Sequence, residues 1–382
     1  LPVTVANAWL AEWRGQLPDP MQWVVKLDPL EELVAASLLL RPAEEEDATE
    51  RRLAGFVFTH QKLCEQVLLR ELLRQIRPRT LPTAEEWLAW ARQAAGEGDQ
   101  TEFRELTGAL AVLAVRLAVA GEGEVLSALL DLANESVRTQ VLGAALRALG
   151  PLWGKTDEGE PGAAGVLAAL LEAARSQPQR GERFYFAADR AHQWLRQAGY
   201  SLCAWALGLG RLAVLRDCVR AEPEKLEWQK EQASCLTQLA DLAVNLGRRD
   251  IAQNYYQKAI ILLHHLIEVH PQRLELQHDL AVSLRHYGVN LRDLGQENQA
   301  KPHLEESIFL LRKLDVMEPS QINTQRELAV SLIALANRLK GLGNSEEASN
   351  YFHQSINLLE KTIEADPRQV DLKLQLSICL NY

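Results

Sequence analysis

Cysteine is scarce in this 382-residue chain: Cys64, Cys203, Cys218, Cys235 and Cys379 are odd in number and form no Cys-x-x-Cys. That excludes a disulfide framework or a thiolate zinc site as the organising device and fits a reducing, cytoplasmic setting. Long apolar runs are missing too. The longest, Ala109–Val115, is broken by Arg116, whereas a membrane span needs about 20 residues. No secretory leader opens the sequence. Positive charge is in deficit, 41 Lys and Arg against 51 Asp and Glu for a net −10, which argues against wholesale nucleic-acid binding.

Catalytic and metal signatures are absent as well. Gly150-Pro-Leu-Trp-Gly154-Lys155-Thr156 has three residues between its glycines where a phosphate-binding loop has four. Leu149 holds the required Gly position, and the segment follows a helical stretch, Val141–Leu149, instead of a buried strand. His264, His265 and His270 surround Glu268 without forming His-Glu-x-x-His. The acidic run Glu44–Glu50 lacks the fixed spacing of a metal loop. No nucleophile turn or carboxylate pair stands out, so the expectation is a chain with no catalytic residues and no metal of its own.

What the sequence does contain is a repeat. Leu246-Gly247, Leu294-Gly295 and Leu342-Gly343 are spaced 48 residues apart, as are Ala252, Ala300 and Ala348, and Pro271, Pro319 and Pro367. Leu280–Leu284, Leu328–Leu332 and Leu376–Leu380 keep the same step. A fixed period of this size marks a stack of helical units. Each unit reads as two helices: in the first, Gln232–Leu246, ended by Gly247, and Ile251–Val269, stopped by Pro271. Asn344 and Glu347 make a capping-box pair at the second helix of the third unit. Ala252, Ala300 and Ala348 are the close-approach positions, with Tyr256, Leu304 and Phe352 filling the space one turn on. Pro302 should kink its helix mildly.

These landmarks resemble tetratricopeptide repeats, which have a turn Gly, then Ala, an aromatic and a small residue on the second helix, and a closing Pro. Gly247, Ala252, Tyr256, Ala259 and Pro271 supply that set, with Ser307 and Ser355 at the last small position and Ala240, Gly288 and Ala336 on the first helix. The unit is longer than the usual 34 residues, by roughly two turns per helix. The resemblance implies an α-solenoid whose concave face, lined by first helices, binds a protein or peptide. Transferring the register selects Ser234, Thr237, Asp241 and Asn245, then Arg285, Arg292 and Asp293, then Asn337 and Lys340.

The rest is less regular. Residues 1–80 read as a small helical domain with one strand pair: helices at Val3–Trp13 and Leu30–Leu40, a strand over Arg52–Phe58, and a helix from His60 to Ile76. Gly55-Phe-Val-Phe-Thr-His60, with Glu65 and Leu68-Leu69 following, resembles the winged-helix segment of STAND-type (NACHT-like) nucleotide switches. That resemblance implies ADP or ATP bound mainly by an ATPase core before Leu1, with His60 against the phosphates. Arg70, Arg74, Arg77 and Arg79 make a basic end to the same helix. Residues 81–222 read as helical with the strict period lost: Glu102–Val119, Glu124–Leu132, Val137–Leu149, Ala164–Arg175, Phe184–Gln197 and Leu202–Arg220. Loops separate them at Gly154–Gly165 and Ser176–Glu182. Trp153, Trp194 and Trp205 are expected in the core.

The expected architecture is therefore all-α: a winged-helix-like end of a switch module (1–80), a degenerate helical region (81–222) and a repeat superhelix (223–382) entering a fourth unit. Beginning without Met and stopping inside a unit, the chain reads as part of a longer polypeptide. Its leading functional reading is the ligand-sensing part of a nucleotide switch in bacterial defence or signalling, oligomerising on activation. A repeat scaffold with no nucleotide dependence is the alternative, and repeats that position substrate for a separate catalytic domain are a third.

Overall fold

The computed structural model describes residues 39–40, 57–58, 111, 114, 115, 118, 124–131, 135–154, 162–319, 321–365 and 370–380. The chain divides into two compact units, 1–117 and 118–382. In the first, β1 (Leu39–Leu40) pairs antiparallel with β2 (Val57–Phe58), Leu39 opposite Phe58. The expected strand over Arg52–Phe58 thus has its last two residues in a ladder. The helix read over Leu30–Leu40 does not reach its end, because Leu39 and Leu40 are extended. His60, the remainder of the winged-helix segment, Cys64 and the basic run Arg70–Arg79 lie outside the described residues.

The second unit is helical: α1 (Glu124–Leu129), α2 (Glu135–Ala148), a 3-10 turn at Gly150–Leu152, α3 (Gly162–Arg175), α4 (Pro178–Gln197) and α5 (Ser201–Ala221). Then come α6 (Leu226–Asn245), α7 (Arg249–Val269), α8 (Leu274–Asp293), α9 (Glu297–Met317), α10 (Ile322–Gly341), α11 (Ser345–Ala365) and α12 (Val370–Leu380). From α4 onward the helix starts recur at 48 residues: 178, 226, 274, 322 and 370 for first helices, 201, 249, 297 and 345 for second helices.

The period therefore begins one hairpin earlier than its landmarks suggested. Gly199, Ala204 and Pro223 stand one step before Gly247, Ala252 and Pro271. The segment read as a loop at Ser176–Glu182 is mostly the start of α4, because Pro178 sits in the first helical turn, where its missing N–H costs nothing. Likewise α3 takes in Gly162–Gly165 from the other expected loop.

Each hairpin turn is built the same way. Gly199, Gly247, Gly295 and Gly343 have φ between 72° and 82°, left-handed values that L side chains resist. Around Gly247, Arg248 N–H bonds Ala243 C=O at 2.7 Å and Gly247 N–H bonds Val244 C=O at 2.9 Å. This is a Schellman closure, and it recurs at Tyr200, Gln296 and Asn344 onto Leu195, Leu291 and Leu339. The turn between hairpins carries a device the sequence reading missed. Gln229, Gln277 and Gln325 each reach back to the carbonyl of Pro223, Pro271 and Pro319 at 2.6, 3.3 and 2.9 Å. They pin the first turn of helices that lack a side-chain N-cap. Helix α6 accordingly starts at Leu226, ahead of Gln232, where the apolar pattern first shows it.

Inside the hairpin, Ala252, Ala300 and Ala348 are buried, as are Tyr256, Leu304 and Phe352. Gly288 is needed because a Cβ there would stand 2.8 Å from the Leu304 side chain. Ser307 and Ser355 donate to Ala281 and Ala329 carbonyls across the seam at 2.7 and 3.1 Å. Helix α9 continues through Pro302. Of the three tryptophans expected in the core, Trp153 and Trp205 are half-buried and Trp194 is 38% exposed, stacked on Tyr200.

The glycine requirement is testable. Gly247→Ala should cost about 1–2 kcal/mol, the penalty of a left-handed L-residue. Gly341→Ala, at a helical glycine with open space around it, should be neutral or stabilising by up to ~1 kcal/mol. Midpoints of chemical denaturation distinguish the two, and equal losses would refute the account.

Candidate functional site

From α6 onward, first helices of successive hairpins pack on one another, α6 on α8, α8 on α10 and α10 on α12. Second helices reach across mainly by long side chains, such as His264 to Glu306 and Arg312 to Gln354. The tighter side presents one continuous face of first helices. Ser234, Val282 and Val330 occupy the same repeat position along its centre, and all three are half-buried. In the α4 hairpin that position is Phe186, 51% exposed.

Polar networks flank this line. Asp241 accepts from Tyr256 O–H at 2.6 Å and pairs with His286 Nδ1 at 2.7 Å. Arg285 Nη2 lies 2.8 Å from His286 Nε2 and donates to Glu327 at 2.8 Å; Arg326 donates to the other Glu327 oxygen at 3.0 Å. This pattern assigns His286 Nδ1 as the donor to Asp241 and Nε2 as the acceptor from Arg285. Burial alone would raise the Asp241 carboxyl, but hydrogen bonds from His286 and Tyr256 outweigh it and hold it below its ordinary value. Burial would also raise Glu327, and the charges of Arg285 and Arg326 hold it low. One chain of contacts thus crosses three hairpins.

The residues chosen from the sequence separate into three groups. Ser234, Asp241 and Asn337 lie on the face and are half-buried. Thr237 and Arg285 are instead committed between helices: Thr237 is buried against Ser283 at 2.9 Å, and Arg285 is held by Glu327. Asn245, Arg292, Asp293 and Lys340 sit at the hairpin-turn end of their helices. There Arg292 pairs with Asp293 at 2.7 Å, and Arg249 bridges to Asp293 at 2.9 Å. Sequence reasoning missed Val282, Val330, His286 and Glu327. The 48-residue step from Ser234 was the signal for the first two, but a search for polar contacts passes over valine.

At the α4–α5 hairpin the seam chemistry is inverted. His192 stands where the others have Ala240, Gly288 and Ala336, and Gly208 stands where they have Tyr256, Leu304 and Phe352. A Cβ on Gly208 would meet Leu239 at 2.8 Å and His192 Nε2 at 3.2 Å. Arg211, 1% exposed, replaces the small Ala259, Ser307 and Ser355. Its guanidinium reaches Asp189, donates to Gln238 at 2.9 Å and meets His192 Nδ1 at 3.1 Å. Tyr185 packs under it and donates to Glu231. Burial pushes the Cys235 thiol up to about 11, so it is an inert core group. Among the described residues no group of His, Cys, Asp and Glu is placed to hold a metal ion, and no helix is long and apolar enough to cross a membrane.

Tetratricopeptide repeat models match residues 233–260 and 328–368, so the chain carries repeats of that type. A tetratricopeptide repeat protein of Thermus thermophilus is 18% identical, over 65% of this chain and 100% of its own, at a TM-score of 0.34. The human IFIT1 dimer with m7Gppp-AAAA is 16% identical, over 82% and 73%, at 0.30. A STAND protein with a tetratricopeptide repeat sensor from Pyrococcus horikoshii is 13% identical, over 91% and 58%, at 0.23. No curated protein sequence matches the chain.

Burial and the charges of Arg211 and Arg196 push His192 down to about 3. It stays neutral in the fold while an unfolded chain takes up a proton near pH ~6.5. Its share of stability is therefore complete above pH ~6.5 and declines by up to ~1.4 kcal/mol per pH unit as pH falls toward about 3. Removing it with His192→Gln should flatten the stability–pH curve over that window. Parallel curves for the two proteins would refute the assignment.

Proposed function

We propose that the chain is a binding module whose first-helix face receives an extended segment of a partner protein. The observation that carries this is the line Ser234, Val282, Val330: low, half-buried and in repeat register, between polar columns whose hydrogen bonds hold them in place. Over these three hairpins the floor has no side chain larger than valine and admits a partner backbone closely, and its two valines offer apolar contact. Gln238, Asp241 and Asn337 then present donors and acceptors to main-chain amides, and fixed geometry lowers the ordering cost of binding. Because Arg285 is held by Glu327, charge reversal there would damage the stack before it informed on a partner.

A cleaner test fills the floor. Peptides selected from a random displayed library on the wild-type chain should lose at least about tenfold in affinity on Val282→Arg, a steric and electrostatic block. Ile261→Arg, at an exposed position of a second helix, should change nothing. Selected peptides that bind Val282→Arg as well as wild type would sink the reading.

The finer reading couples this face to a nucleotide switch in bacterial defence or signalling, with oligomerisation on activation. Its support is the Gly55–His60 resemblance. In the intact protein, ADP retention should fall on His60→Ala, and unchanged retention would count against the phosphate contact.

A further inference from the structure

Between α2 and α4 lies an open cavity of about 280 Å³ lined by Glu135, Arg138, Thr139, Gln179, Glu182, Arg183 and Phe186. Phe186 continues the central line of Ser234, Val282 and Val330 into α4, so the cavity opens beside that line. Its chemistry departs from the junctions further along. Glu231, Asp279 and Glu327 share one repeat position. Glu231 and Glu327 each accept a hydrogen bond from the preceding first helix, from Tyr185 and Arg285. In α4 the residue at that position is Arg183, and α2 presents Arg138 to the same cavity. Two cations share this cavity with Glu135 and Glu182.

The cations are also positioned. Arg138 is 7% exposed, and burial followed by the charge of Arg183 lowers its guanidinium from the ordinary value, with Glu135 acting in the opposite sense. Arg183 is anchored by one bond, Nη1 to the Leu130 carbonyl at 2.8 Å, with Asp131 4.0 Å away and already hydrogen-bonded to Arg180. Its other donors make no hydrogen bond among the described residues. Of the lining acids, Glu182 is 4.0 Å from Lys225. A planar guanidinium held at one edge, with its remaining donors open, is arranged for an oxyanion.

We infer that this cavity is an anchoring subsite for an oxyanion on the bound segment, the carboxylate of an acidic residue or the phosphate of a phosphorylated one, with an apolar neighbour on Phe186. This rests on the binding-face reading above. Three probes separate the cases by calorimetric titration of the whole chain: N-acetyl-Leu-Glu-amide, N-acetyl-Leu-phosphoserine-amide and, as neutral control, N-acetyl-Leu-Gln-amide. One or both anionic probes should saturate and bind at least about tenfold tighter than the control, roughly one charge-assisted hydrogen bond. The tighter of the two names the source. Arg183→Gln should remove that margin, Arg183→Lys should keep part of it, and raising salt from about 50 to 500 mM should shrink it. The margin surviving in Arg183→Gln, or equal binding of all three probes, or no saturation by any, would overturn the proposal. If Arg183→Gln unfolds at lower temperature, the salt dependence of the wild type decides alone. Val282→Arg should leave these short probes unaffected, so the subsite and the binding face fail independently.

Discussion

Every hairpin depends on one close crossing of its two helices. A left-handed glycine closes the first helix through two reciprocal backbone bonds, and a buried alanine follows five residues later where the second helix leans in. With both fixed, the length of each arm is set, and the next hairpin docks in a register that repeats every 48 residues. The larger side chains at Tyr256, Leu304 and Phe352 then fill space that the crossing has already defined. Repeat arrays draw their stability from such nearest-neighbour contacts in place of a single central core, which is how a long chain with few aromatics holds a defined surface.

Polar groups inside that scaffold serve order more than cohesion. Buried ionic contacts gain little net energy once desolvation is counted, but they are directional. The chain from Asp241 through His286 and Arg285 to Glu327 fixes how three consecutive first helices are staggered. The first-helix face is therefore rigid at its flanks and low along its middle. On the proposed reading a long partner segment would meet donors and acceptors already in place, and the ordering cost would fall largely on the partner.

Much of this was legible in the sequence because it follows from hard constraints. A left-handed turn demands Gly247, and close helices demand Ala252, so both recur and can be counted. The earlier hairpin escaped because its seam is inverted. Gly199, Ala204 and Pro223 keep the step, but His192, Gly208 and Arg211 erase the size pattern that makes the other units look alike. Helix starts were misplaced because Gln229, Gln277 and Gln325 act through side-chain bonds to a proline carbonyl, which hydrophobic periodicity does not register. On the face, the register transferred from the repeat resemblance selected Asp241 and Arg285. Their partners sit 42 to 45 residues away, and such pairings depend on inter-helix stagger that no single repeat encodes. The segment carrying His60 lies outside the described residues, so its role rests on resemblance.

The inverted hairpin also limits how the array can be rearranged. Three hairpins share the same small-residue seam, so at the seam itself one could stand in for another. The fourth cannot, because Arg211 needs Asp189 from its own first helix and Gln238 from the next one. Moved to the place of Ala259 or Ser307, it would meet Thr237 or Arg285 where Asp189 now stands, a buried charge unanswered. It therefore has a fixed address in the chain.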